Sequence, residues 1–212
     1  MEAAMVKKTG ATHSQSESRR KEIILAALAC FTEQGINETS ITDIRRRSKA
    51  SVGSIYHHFG NKEQLARTVY LEGIRDYQAG LADVLERYQD AREGVFAIVR
   101  YHLEWAKQNP EWTRFLFQKR HADFMSSTEK EFKEMNVDFA RRIASWFQKH
   151  VRAGALKLLP PDLYPCILLG PCQEFLHHYL ATHTVTSLDT AAREFGKAAW
   201  QALSGGGEKE AR

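Results

Sequence analysis

The stretch SVGSIYHHFGNKEQL, residues 51–65, combines features that an ordinary surface helix does not. Ser51 stands where a helix N-cap is preferred, and the apolar Ile55 and Phe59 are four residues apart on one helical face. At about 100° per residue, the opposite face is centred near Gly53 and carries Ser, Tyr and His side chains. A solvated helix face normally carries Glu, Lys and Gln instead. The pattern therefore predicts a short helix that presents small, planar and hydrogen-bonding groups to another molecule.

Together with two preceding segments, this helix predicts a helix-turn-helix unit. Apolar residues recur at helical spacing over 19–34, and Gly35 follows where a left-handed C-cap is expected. Ser40, with Asp43 three residues later, forms a capping-box pattern at the start of a second short helix. In such a unit the last helix enters the major groove of DNA. The alternative is that its outer face packs against the rest of the chain, but a packing face should be more apolar.

Helical periodicity continues to the C-terminus, and no convincing strand pattern occurs. Breaks rich in Pro, Gly and Ser separate predicted helices over 62–88, 91–108, 111–123, 128–153, 161–183 and 188–203. We therefore expect an all-α protein.

Residues 20–66 resemble the DNA-binding domain of the tetracycline-repressor (TetR) family. The resemblance runs through ILAALACFTEQG (24–35), TSITDI (39–44) and SVGSIYHHFGNKEQL. It implies a transcriptional regulator, usually a repressor, that acts as a homodimer. One position departs from the family pattern, because SKAS (48–51) stands where an AGVS-like run with Gly is usual. Lys49 in a left-handed turn would cost about 1 kcal/mol, which a phosphate contact could offset.

The resemblance also implies how the chain is divided. An N-terminal three-helix DNA-binding domain precedes a larger C-terminal helical ligand-binding and dimerisation domain. The expected parts are a disordered arm (1–16), the helix-turn-helix domain (17–65), the regulatory and dimerisation domain (66–203) and a flexible tail (204–212).

Matched position by position, the resemblance implies DNA contacts in and around the second and third helices. The candidate residues are Ser40, Thr42, Lys49, Ser51, Val52, Gly53, Ser54, Tyr56, His57 and Lys62. Val52 suits contact with a thymine methyl, and Lys62 at the start of the fourth helix would bind a phosphate. The hydroxyls and cap amides of Ser40 and Ser51 would also meet phosphate oxygens.

Charge alone is weak support for a nucleic-acid partner. The net charge is +4, but residues 1–65 hold ten Lys or Arg against seven Asp or Glu. The basic groups cluster as KK, RRK and RRRSK, which could follow a phosphate backbone. Solvated helix faces and a loose arm explain the same clusters equally well. In the triplet 45–47 successive side chains point about 100° apart, so at most two can face DNA together.

The rest of the chain is richer in aromatic residues than a DNA-reading unit requires. It contains all four tryptophans, and a stripe from Phe132 to Trp146 follows helical spacing. This stripe is either core or the wall of a ligand cavity between helices. The resemblance favours a pocket in this part of the chain, and we expect it within residues 100–180, for a small apolar or aromatic effector. Pro171 should kink its helix, and such a kink could border a cavity or simply fit a curved bundle. The candidate lining residues are Trp105, Trp112, Phe115, Phe139, Trp146, Phe175 and His178.

The last two predicted helices, 161–183 and 188–203, have broad apolar surfaces. Two copies of this pair could form a four-helix interface across a two-fold axis. Dimerisation also suits DNA recognition, because one small reading unit alone provides too little specificity. The candidate interface residues are Leu168, Leu176, Leu180, Phe195, Ala199 and Leu203.

Several other classes of protein are disfavoured. No apolar run of about 18 residues indicates a transmembrane helix, and the N-terminus lacks the apolar segment of a secretory signal. Three separated cysteines fit reduced thiols in the cytoplasm, with redox sensing by Cys166 and Cys172 as an alternative. GxSxG, GxGxxG, phosphate-loop and HExxH patterns do not occur. We therefore expect no enzyme activity, no catalytic or metal-binding residue, no cofactor and no membrane partner.

The favoured function is a homodimeric repressor that leaves its palindromic operator when an effector binds. The route would be a shift of the fourth helix, which begins beside the DNA and continues into the larger domain. A dimeric DNA-binding protein without a small-molecule ligand, controlled by a protein partner or by its abundance, is the main alternative. A helical carrier or enzyme that retains a DNA-reading unit is a remote one.

Overall fold

The computed structural model describes residues 2–117, 129–181 and 184–205. Within these ranges the chain forms nine α-helices and no β-strand, which confirms the all-α prediction. They are α1 (Glu2–Gln34), α2 (Ile41–Ser48), α3 (Val52–Phe59), α4 (Lys62–Arg87), α5 (Ala91–Gln108), α6 (Pro110–Phe117), α7 (Glu129–Arg152), α8 (Leu163–Leu180) and α9 (Leu188–Leu203). No helix in these ranges has both the length and the apolar character needed to cross a membrane.

The chain divides into two compact units, and the division differs from the predicted boundary at 65/66. The N-terminal unit comprises Met1–Ile74 and Glu111–Thr128, and the C-terminal unit comprises Arg75–Pro110 and Glu129–Arg212. The first half of α4 joins the N-terminal unit because three of its side chains are buried in that core, namely Leu65, Ala66 and Val69. Helix α6 joins it through Phe115, whose ring stacks on Phe31 with the centroids 6.1 Å apart.

Local hydrogen bonds define the two short helices as the sequence predicts. Ser40 and Asp43 form the complete capping box of α2, with the Asp43 N–H donating to Ser40 Oγ at 3.2 Å. The Ser54 N–H donates to Ser51 Oγ at 3.1 Å, so Ser51 caps α3. Between these helices Lys49 has φ 56° and ψ 14°, which is the left-handed conformation.

The N-terminal end of the chain differs from the predicted disordered arm over 1–16. The backbone is helical from Glu2 and continues without a break into the part of α1 that packs in the core. Ala, Glu, Met and Lys in this segment favour helix, and no proline interrupts it. Of the predicted tail over 204–212, only Ser204 and Gly205 lie within the described residues. The Gly205 N–H donates to the Ala155 carbonyl at 3.0 Å.

Helix α5 is the centre of the C-terminal unit. Its Val95, Val99 and Leu103 side chains have no exposed surface, and α5 packs against both α8 and α9. The close approach of α9 depends on Gly196, where an added Cβ would lie 2.6 Å from the Phe96 ring.

Four of the six predicted dimerisation residues belong to this core. Leu168, Leu176, Ala199 and Leu203 are each at most 4% exposed in the single chain. A side chain buried within one chain cannot contact a second chain, so the prediction was wrong for these four. Helices α8 and α9 are apolar on several faces, and periodicity alone does not reveal which face meets the core. Leu180 and Phe195 are half-buried.

Candidate nucleic-acid interface and ligand cavity

Helix α3 has the orientation that the helical wheel predicts. Ile55 and Phe59 are 1% and 5% exposed and pack in the N-terminal core, whereas Val52 and Tyr56 are 41% and 48% exposed. His57 is exposed on the same outer side. The outer face therefore offers a methyl pair, a phenol and an imidazole, which are groups able to contact base edges in a major groove.

The start of α2 and the turn after it carry further exposed polar groups. Ser40, Thr42, Lys49, Ser51 and Gly53 are all exposed, and Ser54 is half-buried. Nine of the ten predicted DNA-contacting residues thus lie within α2, α3 and the residues flanking them. Together the nine provide five hydroxyls, one ammonium group, one imidazole, the methyl pair of Val52 and one glycine.

Lys62, the tenth predicted residue, has a partner within the protein. Its ammonium group donates to the carbonyl oxygens of Asn37 at 2.9 Å and Thr39 at 3.0 Å. Lys62 therefore holds the connection between α1 and α2 against the start of α4. An ammonium has three N–H groups, so one remains for another acceptor.

The arginine triplet divides into paired and unpaired side chains. Arg47 donates to both Glu33 oxygens at 2.7 and 2.8 Å, and Arg46 donates to Asp43 at 2.8 Å. Arg45 is exposed, and within the described residues it makes no hydrogen bond or ion pair. Arg45 is not among the predicted DNA contacts, although its position three residues after Thr42 places both on one side of α2.

Arg20 of α1 supports the recognition helix from the inner side. Its guanidinium lies 5.6 Å from the centre of the Phe59 ring and also pairs with Glu72 of α4. Burial lowers the pKa of the neighbouring His58, and the charges of His57 and Arg20 lower it further. A neutral His58 therefore packs beside Phe59 with little electrostatic cost.

Comparison with known proteins agrees with this geometry. Residues 23–69 match the sequence model of bacterial regulatory proteins, tetR family. The HTH-type transcriptional repressor KstR2 of Mycolicibacterium smegmatis (strain ATCC 700084 / mc(2)155) is 30% identical over 160 residues, which cover 72% of this chain and 73% of that protein. The chain belongs to the TetR family. Its N-terminal unit contains the family's helix-turn-helix DNA-binding domain.

Other TetR relatives match over different extents. KstR2 of Mycobacterium tuberculosis (strain ATCC 25618 / H37Rv) is 31% identical over 132 residues, covering 58% of this chain and 66% of that protein, just under two thirds. The crystal structure of a TetR family transcription regulator from Marinobacter aquaeolei VT8 has a TM-score of 0.78 at 19% identity, covering 91% of this chain and 99% of that one. At that identity the structural similarity establishes the fold.

The C-terminal unit of this TetR-family protein contains a cavity of about 850 Å³. Helix α7 supplies much of its wall, with Phe139, Ala140, Ile143, Ala144, Phe147 and Val151. The remaining apolar wall comes from α4, α5, α8 and the segment before α8, with Leu81, Ile98, Leu158, Leu159, Pro161, Pro165, Leu168 and Leu169. A volume in this range and a predominantly apolar wall are typical of small-molecule sites.

Polar groups line the cavity at a few positions only. The Gln78 side-chain amide donates to Asn136, which links α4 to α7 across the wall. The Tyr77 hydroxyl, also on α4, is hydrogen bonded to His102 Nδ1 at 2.9 Å. Gln148 and Arg152 of α7, with Tyr164 of α8, complete the polar lining.

The Tyr77–His102 pair is uncharged at neutral pH. Burial lowers the pKa of His102 to about 4, because the imidazolium loses its hydration. Burial likewise raises the pKa of Tyr77 above its usual value, with smaller contributions from Tyr101 and Cys172. Tyr77 of α4 therefore lines the cavity with its hydroxyl bonded to a neutral imidazole on α5.

Only Phe139 of the seven predicted ligand-binding residues lines this cavity. Trp105 is buried, and its indole N–H donates to Asp76 at 2.9 Å. Trp146 is buried in the same unit, where its indole N–H donates to the Tyr88 carbonyl at 3.2 Å. The prediction was wrong for both tryptophans because they fill the core. The cavity remains where small side chains, including those of Ala140 and Ala144, leave space.

The other four predicted residues also lie elsewhere. Trp112 and Phe115 belong to the N-terminal unit. Phe175 packs edge-on against Phe195 with the ring centroids 5.7 Å apart. His178 is exposed and pairs with Glu174 at 3.0 Å. Within the described part of the chain, no three His, Cys, Asp or Glu side chains lie close enough together to bind a metal ion.

Proposed function

We propose that this protein is a homodimeric transcriptional repressor in the bacterial cytoplasm. It binds a palindromic operator through α2 and α3 and leaves that operator when a small, largely apolar molecule occupies the cavity of the C-terminal unit. Val52, Tyr56 and His57 form an exposed outer face of α3, here called the reading face. The observation that carries the proposal is that the same chain has both this reading face and an apolar cavity of about 850 Å³. The reading face is suited to binding in the major groove of DNA, and a cavity of this size and composition is suited to binding a small-molecule effector.

Different residues would contact the bases and the phosphates of the operator. Val52, Tyr56 and His57 project from α3 toward base edges, and Thr42 and Lys49 approach the backbone. Arg45 adds a cation that has no partner among the described residues. Phosphate contacts set the register on the duplex, whereas base contacts select the sequence.

A second copy of the chain would pack on the exposed sides of α8 and α9. Cys166 and Gly170 are exposed on α8, and Ala198 and Ala202 are exposed on α9. Apart from its chain neighbours and the nearby backbone of α8, no atom of the described residues lies within 4 Å of the position that a Cβ on Gly170 would occupy. Small residues on an exposed helix face allow another helix to approach closely. The dimer places two reading faces on half-sites about 34–36 Å apart, one turn of DNA.

Helix α4 would couple the cavity to the reading face. It is one continuous helix whose Lys62 and Leu65 belong to the N-terminal unit and whose Tyr77 and Leu81 line the cavity. A ligand that favours one position of Tyr77 would shift α4 and change the separation of the two reading faces. The dimer would then have two states, one whose reading faces match the half-site spacing and one whose reading faces do not. The ligand must bind the second state more tightly, because equal affinity for both states would not change their populations. Coupling of about 1–3 kcal/mol is typical.

The alternative without a small-molecule ligand leaves the cavity unused. The cavity favours the ligand-controlled repressor, because solid packing is the normal state of a protein interior.

The test begins with palindromes in the DNA that flanks the gene. Fluorescence anisotropy of a labelled palindrome should show one dimer bound per site, with affinity that falls steeply as salt concentration rises. Compounds related to the products of neighbouring genes are then added to the complex. Release by one of them supports the proposal. Stable operator binding that no such compound disturbs would favour the ligand-independent alternative.

A further inference from the structure

The cavity is elongated along α7. Lining residues recur on one side of this helix at every turn, first Asn136 alone and then four adjacent pairs that end at Arg152. Sixteen residues separate these two ends, which corresponds to about 24 Å along a helix axis. Ala140 and Ala144 in the middle of the row are exposed, so this side of the cavity opens to solvent. A molecule that fills this space is long and has its apolar body against Phe139, Ile143 and Phe147.

The two ends of this row differ in chemistry. At the Asn136 end, Gln78 and Asn136 are hydrogen bonded to each other and are neutral. At the opposite end stands Arg152, the last residue of α7. Among the described lining residues Arg152 is the only one with a charge. A positive charge at one end of an apolar cavity selects for a negative group at the same end of its ligand.

The surroundings of Arg152 distinguish it from other arginines of α7. Arg141 pairs with Asp138 at 3.4 Å, and Arg142 pairs with Glu86. The Arg152 side chain makes no hydrogen bond or ion pair within the described residues. Its guanidinium therefore retains all five N–H donors for a ligand. Carboxylates match this planar group with two parallel hydrogen bonds.

We propose that the effector is an elongated amphiphile with a single carboxylate at one end, bound with the carboxylate on Arg152 and the apolar body along α7. This inference rests on the proposed function, since it names the class of molecule that occupies the effector cavity. The same chemistry is found in long-chain fatty acids and in fused-ring acids with a carboxylate side chain. A cationic amphiphile would meet the charge of Arg152 and is excluded from the same position.

Calorimetry with defined probes tests the assignment on the intact protein. Hexadecanoate and a sterol carboxylate are titrated below their micellar concentrations into the wild type, Arg152→Gln and Arg152→Lys. Methyl hexadecanoate is the uncharged probe of the same length. The control variant is Arg141→Gln, which removes an exposed arginine of α7 that does not line the cavity.

We expect at least one carboxylate to bind the wild type and Arg141→Gln equally. Arg152→Gln should weaken that binding by about tenfold or more, as expected for loss of charge-assisted hydrogen bonds. Arg152→Lys should restore part of the loss, and the methyl ester should not distinguish wild type from Arg152→Gln. Tighter binding of hexadecanoate would identify a fatty acid as the effector class, and tighter binding of the sterol carboxylate would identify a fused-ring acid.

Two results separate this inference from the proposed function. If neither carboxylate binds, or if both bind equally to wild type and Arg152→Gln, the carboxylate assignment is overturned. Release of the operator by an uncharged effector would then still support the repressor. If a carboxylate binds through Arg152 but leaves the operator complex intact, the ligand class stands and the proposed release mechanism fails.

Discussion

At the residue scale, Lys49 shows how much a local pattern can predict. Matching SKAS to the family's AGVS-like run puts Lys49 at the position of the usual Gly, where a left-handed conformation would cost about 1 kcal/mol. The structure has that conformation, with φ 56° at Lys49. The role of Lys62 could not be predicted in the same way. Its two carbonyl partners, Asn37 and Thr39, are more than twenty residues earlier and are brought close only by the fold.

Replacing Lys49 by glycine or alanine should separate its strained turn conformation from its proposed phosphate contact. Lys49→Gly should be more stable than Lys49→Ala by up to about 1 kcal/mol, because only glycine accepts positive φ without steric cost. Urea unfolding midpoints measure this difference. If Lys49 binds a phosphate, both variants should reduce the slope of log affinity against log salt by about one unit. Equal stability of the two variants would contradict the strain at this position.

The two faces of α3 should respond differently to alanine. Tyr56→Ala and His57→Ala should each weaken operator binding by about 1–3 kcal/mol and leave the melting temperature almost unchanged. Ile55→Ala should instead destabilise the fold by about 2–5 kcal/mol, because Ile55 is fully buried. Anisotropy and thermal melts measure the two effects. Normal operator affinity in both surface variants would remove α3 from the interface.

The buried imidazole of His102 should make stability depend on pH. Its pKa of about 4 in the folded protein lies below the usual 6.5, so the unfolded state binds more protons between these values. His102 therefore contributes fully above pH 6.5, and its contribution falls as pH is lowered toward 4, by about 3 kcal/mol in total. His102→Asn can keep a hydrogen bond to Tyr77, and it should reduce the change in the free energy of unfolding between pH 4 and 6.5. Identical urea-unfolding profiles for both proteins from pH 4 to 7 would refute the assignment.

At the element scale, the sequence predicts helices better than it predicts their faces. The start or end of most helices lies within two residues of the prediction, because caps such as Ser40, Ser51 and Ser187 are encoded locally. The apolar faces of α8 and α9 were assigned to a dimer, but Leu176 and Leu203 are buried in the single chain. Which apolar face meets the core depends on the neighbouring helices, which a single helix does not specify.

The exposed faces of α8 and α9 should instead control assembly. The double variant Cys166→Arg and Ala198→Arg should shift the protein from dimer to monomer, because it places charge and bulk on the proposed interface. Both positions are exposed in the single chain, so the fold should be retained. Ala79→Arg, at an exposed position of α4, is the control. Sedimentation of the double variant as a dimer would place the interface elsewhere.

At the scale of the whole molecule, the cavity is the feature that the sequence located least well. Large aromatic residues were expected to line it, yet Trp105 and Trp146 pack in the core. The space occurs beside Ala140 and Ala144, whose small size matters only once α4 and α8 are in place. The pattern of apolar and polar residues in a sequence predicts which side chains are buried. A cavity is the space that the side chains of several packed helices leave unfilled, and that pattern does not specify it.

The most direct test of regulation by the cavity is to fill it without a ligand. Ala144→Trp places an indole in the cavity wall, and Ser145→Trp places one at the next, exposed position of α7 outside the cavity. Operator affinity and release by an effector are measured by anisotropy for both variants. We predict that Ser145→Trp behaves as wild type and that Ala144→Trp loses release by the effector. An Ala144→Trp protein that binds the operator normally and releases it at the same effector concentration as wild type would contradict the account.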